Sequence, residues 1–287
     1  MSALKALHAP ATVDEAVRLL ARGEARCLAG GATLVAMMNA GIAEPEELVN
    51  LAGIEELAGI RLLPDMSLRI GAMARHRETA SDARLGGQLS VVREAAASIA
   101  NVPVRNMGTM GGSISHFDPA ADYPPALVAV GARIEIAGPA GRRTLAAHEF
   151  FVDWYTTALA PGELVTAVLL APAAPGLGRY DKLARVSGDF ATVSVALSVA
   201  WHEGACRRVG LAIGGCGPRP LHLDEANEAL VAGRLGEQAA EKAGALLVGA
   251  ADPIDDVRGS AEYRRLVIPR MVSRAVAQAR ASLMEPA

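Results

Sequence analysis

The run Arg105-Asn106-Met107-Gly108-Thr109-Met110-Gly111-Gly112-Ser113-Ile114-Ser115-His116-Phe117-Asp118-Pro119-Ala120-Ala121-Asp122 is the densest glycine cluster in the chain and ends on two aspartates. Glycine lets a main chain approach an anion closely and adopt positive φ, and a helix N-terminus adds oriented N–H groups. The run therefore reads as a phosphate-type loop. About eighty residues upstream, Arg26-Cys27-Leu28-Ala29 reads as a short buried strand broken by Gly30-Gly31. Ala32-Thr33-Leu34 then opens a helix that runs through Met38 and stops near Gly41. A Gly-Gly pair alone is ordinarily a turn. Two such pairs, each followed by a hydroxyl residue or a helix-forming run, point to main-chain amides as ligands.

The standard nucleotide fingerprints are missing. No G-x-G-x-x-G follows a strand and no Gly-Lys dipeptide occurs, so neither a Rossmann fingerprint nor a Walker A loop is present. H-E-x-x-H, G-x-S-x-G and metal-spaced histidines are also absent among His8, His76, His116, His148, His202 and His222. Cys27, Cys206 and Cys216 are odd in number, scattered and without a C-x-x-C pair, which excludes a disulfide framework and an iron–sulfur or zinc site. They read as reduced, buried thiols. His116, beside the second glycine run, reads as a solvated or backbone-bonded side chain. No catalytic residue and no metal ligand is assigned.

The 287 residues suit two packed regions, and 51% hydrophobic against 21% charged residues exclude bulk disorder. A net charge of -3 argues against a nucleic-acid surface. No leader pattern opens the chain from Met1 to Pro10. Its longest weakly charged stretches, 120–132 and 190–201, fall short of the roughly 20 apolar residues of a membrane span. A cytoplasmic location is expected. Lysine occurs only at Lys5, Lys182 and Lys242, which singles each one out.

Thr12 and Glu15 form a capping-box pattern ahead of Val13, Ala16, Val17 and Leu20, a helix expected to reach Arg22. Leu68 to Ala72 alternates as a strand, Leu89, Val92, Ala96 and Ile99 form a helical stripe, and Pro139-Ala140-Gly141 turns a hairpin. Pro172, Pro175, Gly176 and Gly178 mark a linker near residue 175. Beyond it, 192–201 and 208–214 read as antiparallel strands, followed by helices over 223–231, 236–248 and 260–283, the last kinked or interrupted at Pro269.

Leu28-Ala29-Gly30-Gly31-Ala32-Thr33-Leu34, the Arg105–Ser113 run and Asp118-Pro119-Ala120-Ala121-Asp122 together resemble the FAD-binding medium subunit of the molybdenum hydroxylases, the carbon monoxide dehydrogenase and xanthine dehydrogenase family. The resemblance continues through Thr157–Thr166, through Tyr180-x-Lys182-x-x-Arg185-x-x-Gly188-Asp189-Phe190-Ala191, and through Ser260-Ala-Glu-Tyr263-Arg264-Arg265. It thus covers nearly the whole chain in family order. It implies an α+β fold: a two-subdomain FAD-binding domain of the vanillyl-alcohol oxidase type over 1–175, divided near 55–60, and a smaller C-terminal α+β domain over 176–287 with a short antiparallel sheet and helices.

Carried over residue by residue, the resemblance implies non-covalent FAD. Ala29, Gly30, Gly31, Ala32, Thr33 and Leu34, with Thr109, Met110, Gly111, Gly112 and Ser113, would hold the pyrophosphate and ribityl region, mainly through amides. Asp122 would contact the cofactor, Lys182 would place a cation near the flavin, Val165 would line the ring, and Phe190 would approach the isoalloxazine. Arg185 and Asp189 would set charge nearby. Phe190 reads equally as a core residue on a strand. Ala32-Thr33 stands where the family commonly shows Gln-Ser, and Ser113 where Asn is frequent; both changes preserve backbone donors.

The implied activity is electron transfer. A large subunit would oxidise substrate at the molybdenum cofactor, a small subunit would carry [2Fe–2S] clusters, and FAD in this chain would deliver electrons to NAD, oxygen, a quinone or a protein. The implied assembly is a heterotrimer or its dimer. The alternative is a self-sufficient flavoprotein oxidoreductase of the same fold with its own substrate pocket.

Overall fold

A computed structural model describes residues 4–284; the first three residues of the stretch read for a leader lie outside it. The N-terminal segment winds β1 (Ala6–His8), α1 (Val13–Leu20), β2 (Ala25–Leu28), α2 (Leu34–Asn39) and β3 (Glu47–Asn50). Thr12 Oγ1 accepts the Glu15 N–H, so α1 starts where its cap dictates, and Val13, Ala16, Val17 and Leu20 are buried. The strands are parallel in the order β1-β3-β2, and each helix supplies the crossover that parallel pairing needs. The first glycine pair follows the C-terminal end of β2.

The next segment holds β4 (Ile60–Leu62), β5 (Leu68–Gly71), α3 (His76–Ser81), α4 (Ser90–Ser98), α5 (Val102–Met107), α6 (Met110–His116) and α7 (Tyr123–Val130). It continues through β6 (Arg133–Gly138), β7 (Gly141–Ala146), α8 (Ala147–Phe150), β8 (Phe151–Asp153), β9 (Thr156–Thr157) and β10 (Leu164–Leu170). The late strand β10 returns to the middle of an antiparallel sheet ordered β4-β5-β10-β6-β7. Ile70, Ile134, Ile136 and Val168 are fully buried in one core with Met110, Ile114 and Tyr123 of the helices.

The C-terminal segment is β11 (Gly176–Leu183), β12 (Val193–His202), β13 (Ala205–Gly214), β14 (Leu221–His222), α9 (Asp224–Ala232), α10 (Glu237–Ala250) and α11 (Ala261–Met284). Its antiparallel sheet is covered on both faces. Val193, Val195, Leu197 and Val199 pack with α9, α10 and α11 in a second core, whereas Ala196 and Ala212 join the first. Gly176 and Gly178 belong to β11 rather than to a linker: a Cβ on Gly178 would lie 2.2 Å from the Val91 amide nitrogen, because α4 lies against this strand. The helix α11 runs unbroken through Pro269, with side-chain-free Gly244 of α10 against the proline.

The seam between α4 and β11 brings later residues to the site. Ser90 Oγ accepts the Gly178 N–H and donates to its carbonyl, both at 2.9 Å; Glu94 accepts the Tyr180 N–H at 2.8 Å; Lys182 Nζ donates to the Ser98 carbonyl at 2.7 Å. Four helical residues advance about 6 Å and two strand residues about 6.7 Å, so positions 90, 94 and 98 stay in step with 178, 180 and 182. No helix of the described residues is long and apolar enough to cross a membrane.

Candidate functional site

The two glycine segments meet. A Cβ on Gly30 would lie 1.9 Å from the Met107 carbonyl oxygen, and one on Gly112 would lie 3.6 Å from the Ala29 Cβ. Between them, β10 and the 188–190 loop opens a cavity of about 760 Å³, within the 300–1,000 Å³ range of small-molecule sites. Ala29, Gly30, Gly31, Ala32, Thr33, Leu34, Thr109, Gly111, Gly112, Ser113, Asp122, Val165 and Phe190 all line it. Met110 and Lys182 do not.

The segments differ in chemistry. Among the described residues, the amides of Gly30, Gly31, Ala32 and Thr33 have no acceptor, and Gly31 turns the chain with φ +77°. Read as a sequence, Gly111-Gly112 is a loop; in the structure it is the first turn of α6, capped by Thr109 Oγ1, which accepts the Gly112 N–H at 3.2 Å. Met110 N–H donates to Ala74, Gly111 N–H to Ala72 and Ser113 N–H to Thr109. The second segment is thus a strapped helix start with its amides spent, offering the cavity its shape and the Thr109 and Ser113 side chains. Gly111 serves packing: a Cβ there would come within 2.6 Å of the Ala72 Cβ. Met110 is fully buried in the core beneath.

Asp122 and Lys182 form one buried unit. The ammonium lies 3.0 Å from Asp122 Oδ1, and the two side chains are only 9% and 6% exposed. The Tyr180 phenol donates to the same oxygen at 2.7 Å. Burial raises the Asp122 carboxyl above the usual range against the opposing pull of Lys182 and Tyr180, and burial together with the Asp122 charge holds the Tyr180 phenol well up. The lysine therefore stands one layer behind the wall, against the aspartate.

Phe190 is 42% exposed at the cavity rim in a loop, not in a strand core, with the Arg258 guanidinium 5.2 Å from its ring centroid. Beside it, Arg185 and Asp189 are ion-paired at 3.0 Å. Val165 sits at the bulge of β10 where its register against β6 shifts. His116 also lines the cavity, against the Tyr155 ring, and burial lowers its basicity.

Three features, two lining the cavity and one behind its wall, carry no local sequence signal. His76 is buried against the Tyr123 hydroxyl at 3.2 Å, and burial lowers it to about 4, so it is neutral. Tyr180 reaches Asp122 only because of the β11 register. Cys27 also lines the cavity, its thiol pushed up to about 12 by burial, hence protonated.

Residues 3–172 match the FAD-binding domain of molybdopterin dehydrogenases, and residues 178–279 match the C-terminal domain of the CO dehydrogenase flavoprotein. The chain belongs to the FAD-binding medium subunits of the molybdenum hydroxylases. The carbon monoxide dehydrogenase medium chain of Afipia carboxidovorans is 38% identical over 96% of each chain. The 6-hydroxypseudooxynicotine dehydrogenase complex subunit alpha of Paenarthrobacter nicotinovorans is 35% identical over 93% of this chain and 92% of its own. A crystal structure of Cu,Mo-CO dehydrogenase in its cyanide-inactivated form superposes with a TM-score of 0.92 at 36% identity, covering 98% of this chain and 99% of that one. The donor set of this medium subunit fits FAD: unpaired amides for a pyrophosphate, a buried carboxylate for N–H or hydroxyl donors, and Val165 and Phe190 as apolar edges.

Proposed function

We propose that this medium subunit binds FAD non-covalently between its glycine segments and passes electrons from [2Fe–2S] clusters of a small partner subunit to an external acceptor. Substrate oxidation belongs to the molybdenum centre of a large partner subunit. The observation that carries the reading is the row of unpaired N–H groups from Gly30 to Thr33 facing a cavity that both glycine segments line. Bound FAD supplies the redox-active ring.

Residues 29–34 hold the pyrophosphate, chiefly through the free amides of residues 30–33, and residues 109–113 shape the ribityl side, with Met110 anchoring α6 from below. Asp122 accepts from the cofactor, Lys182 keeps that carboxylate charged, Val165 lines the ring, and Phe190 controls access at the rim. Residues 1–175 form the FAD-binding unit, divided near 55–60, and 176–287 form the C-terminal unit. The assembly is a cytoplasmic heterotrimer or its dimer.

Affinity purification of the chain from its native cells, followed by an absorption spectrum and flavin, molybdenum and iron analysis, tests this. Flavin with stoichiometric molybdenum and iron in a three-subunit assembly supports it. Flavin on a solitary chain that its own substrate reduces refutes it in favour of a self-sufficient flavoprotein.

A further inference from the structure

We propose that Tyr180 is a positioning residue for FAD, its phenol holding the Asp122 carboxylate in the orientation and charge state that the cofactor meets. This inference rests on the FAD reading above. Asp122 Oδ1 takes both the Tyr180 hydroxyl at 2.7 Å and the Lys182 ammonium at 3.0 Å. Asp122 Oδ2 has no hydrogen-bond partner among the described residues, and Asp122 lines the cavity. One oxygen is thereby fixed by the protein and the other is left for a ligand.

Tyr180 cannot drift from this task. Its N–H is held by Glu94 of α4 at 2.8 Å and its ring is buried in the first core, so both ends of the residue are pinned. The pinning spans the α4–β11 seam, which makes the C-terminal segment a contributor to the cofactor wall. The titratable groups facing Asp122 are Lys182 and Tyr180 of β11, together with neighbouring Tyr123 of α7. Of these, Lys182 supplies charge, but its ammonium is shared with the Ser98 carbonyl. The phenol supplies a directed bond that tells one carboxylate oxygen from the other.

The sign of the effect follows. A bond donated to the ionised carboxylate favours that form, so removing it raises the Asp122 carboxyl further and brings protonation closer to neutral pH. A protonated Asp122 accepts poorly, so FAD affinity falls on acidification, and falls sooner without the phenol.

The test measures FAD dissociation constants by flavin fluorescence on the full chain between about pH 5 and pH 8.5, on the alkaline side of an ordinary carboxyl. Four proteins are compared: wild type, Y180F, D122N and the double variant. At the alkaline end Y180F weakens FAD binding about tenfold, the worth of one hydrogen bond to a charged group, and its acid limb begins at higher pH than that of wild type. In the D122N background, which has no carboxyl to protonate, the acid limb disappears and Y180F no longer shifts it. Replacing Tyr180 with 3-fluorotyrosine, a stronger donor, moves the acid limb the opposite way. Wild-type affinity for Y180F at every pH, or an acid limb that Y180F still shifts with D122N already present, overturns the inference while leaving the FAD reading intact. A wild-type chain that retains no FAD overturns both.

Discussion

Replacing Lys182 with methionine isolates the buried charge pair behind the cavity. The substitution keeps the aliphatic volume but removes an ammonium 3.0 Å from Asp122 and 2.7 Å from the Ser98 carbonyl, in a place where both paired side chains are almost fully buried. Breaking a buried pair by deleting one partner leaves an uncompensated charge, and costs about 3–5 kcal/mol. At this chain length that corresponds to a melting-temperature drop on the order of 10 °C.

The loss depends on pH. Burial already raises the Asp122 carboxyl, and losing Lys182 raises it more. A carboxyl whose pKa is higher folded than unfolded binds its proton more tightly in the folded state. K182M therefore regains stability as pH falls, at most about 1.4 kcal/mol per pH unit. Urea unfolding of apo K182M and wild type should show a larger deficit at pH 8 than at pH 5.5. K182M/D122N should recover most of the loss, since both members of the pair are then neutral. A deficit below about 1 kcal/mol, the range of an exposed ion pair, or one that does not change with pH, would refute the buried-pair account.

Gly30→Ala sets a Cβ 1.9 Å from the Met107 carbonyl oxygen and must push the two glycine segments apart, so the purified variant should carry little flavin; a normal flavin-to-protein ratio rules out that contact as essential. Phe190→Ala should retain FAD and lose the Arg258 stacking, with altered rates of flavin reoxidation in stopped flow; unchanged rates would place Phe190 outside the access route. His76, lowered to about 4 by burial, binds its proton more weakly folded than unfolded. Stability is thus complete above about pH 6.5 and declines by roughly 3 kcal/mol toward pH 4, and His76→Gln should flatten that slope in acid unfolding curves.

The sequence by itself determined whatever short-range physics controls. The Thr12 cap and its apolar stripe, the Pro139-Ala140 hairpin and the alternation of Val193, Val195, Leu197 and Val199 are legible because capping, turn chemistry and periodicity act within a few residues. The two glycine pairs are legible as places where the chain bends for the same reason, whereas FAD was implied only by the family resemblance. Tertiary structure decided the rest. Gly111-Gly112 became a helix start because Thr109 caps it and the backbone at residues 72–74 takes its first amides. Gly178 entered a strand because α4 needed the space, and Phe190 came to the rim because its loop ends short of β12. Lys182 turned to Asp122, sixty residues earlier, because helical and extended spacings match along the α4–β11 seam. Such pairings depend on the register between distant segments, which no local pattern encodes.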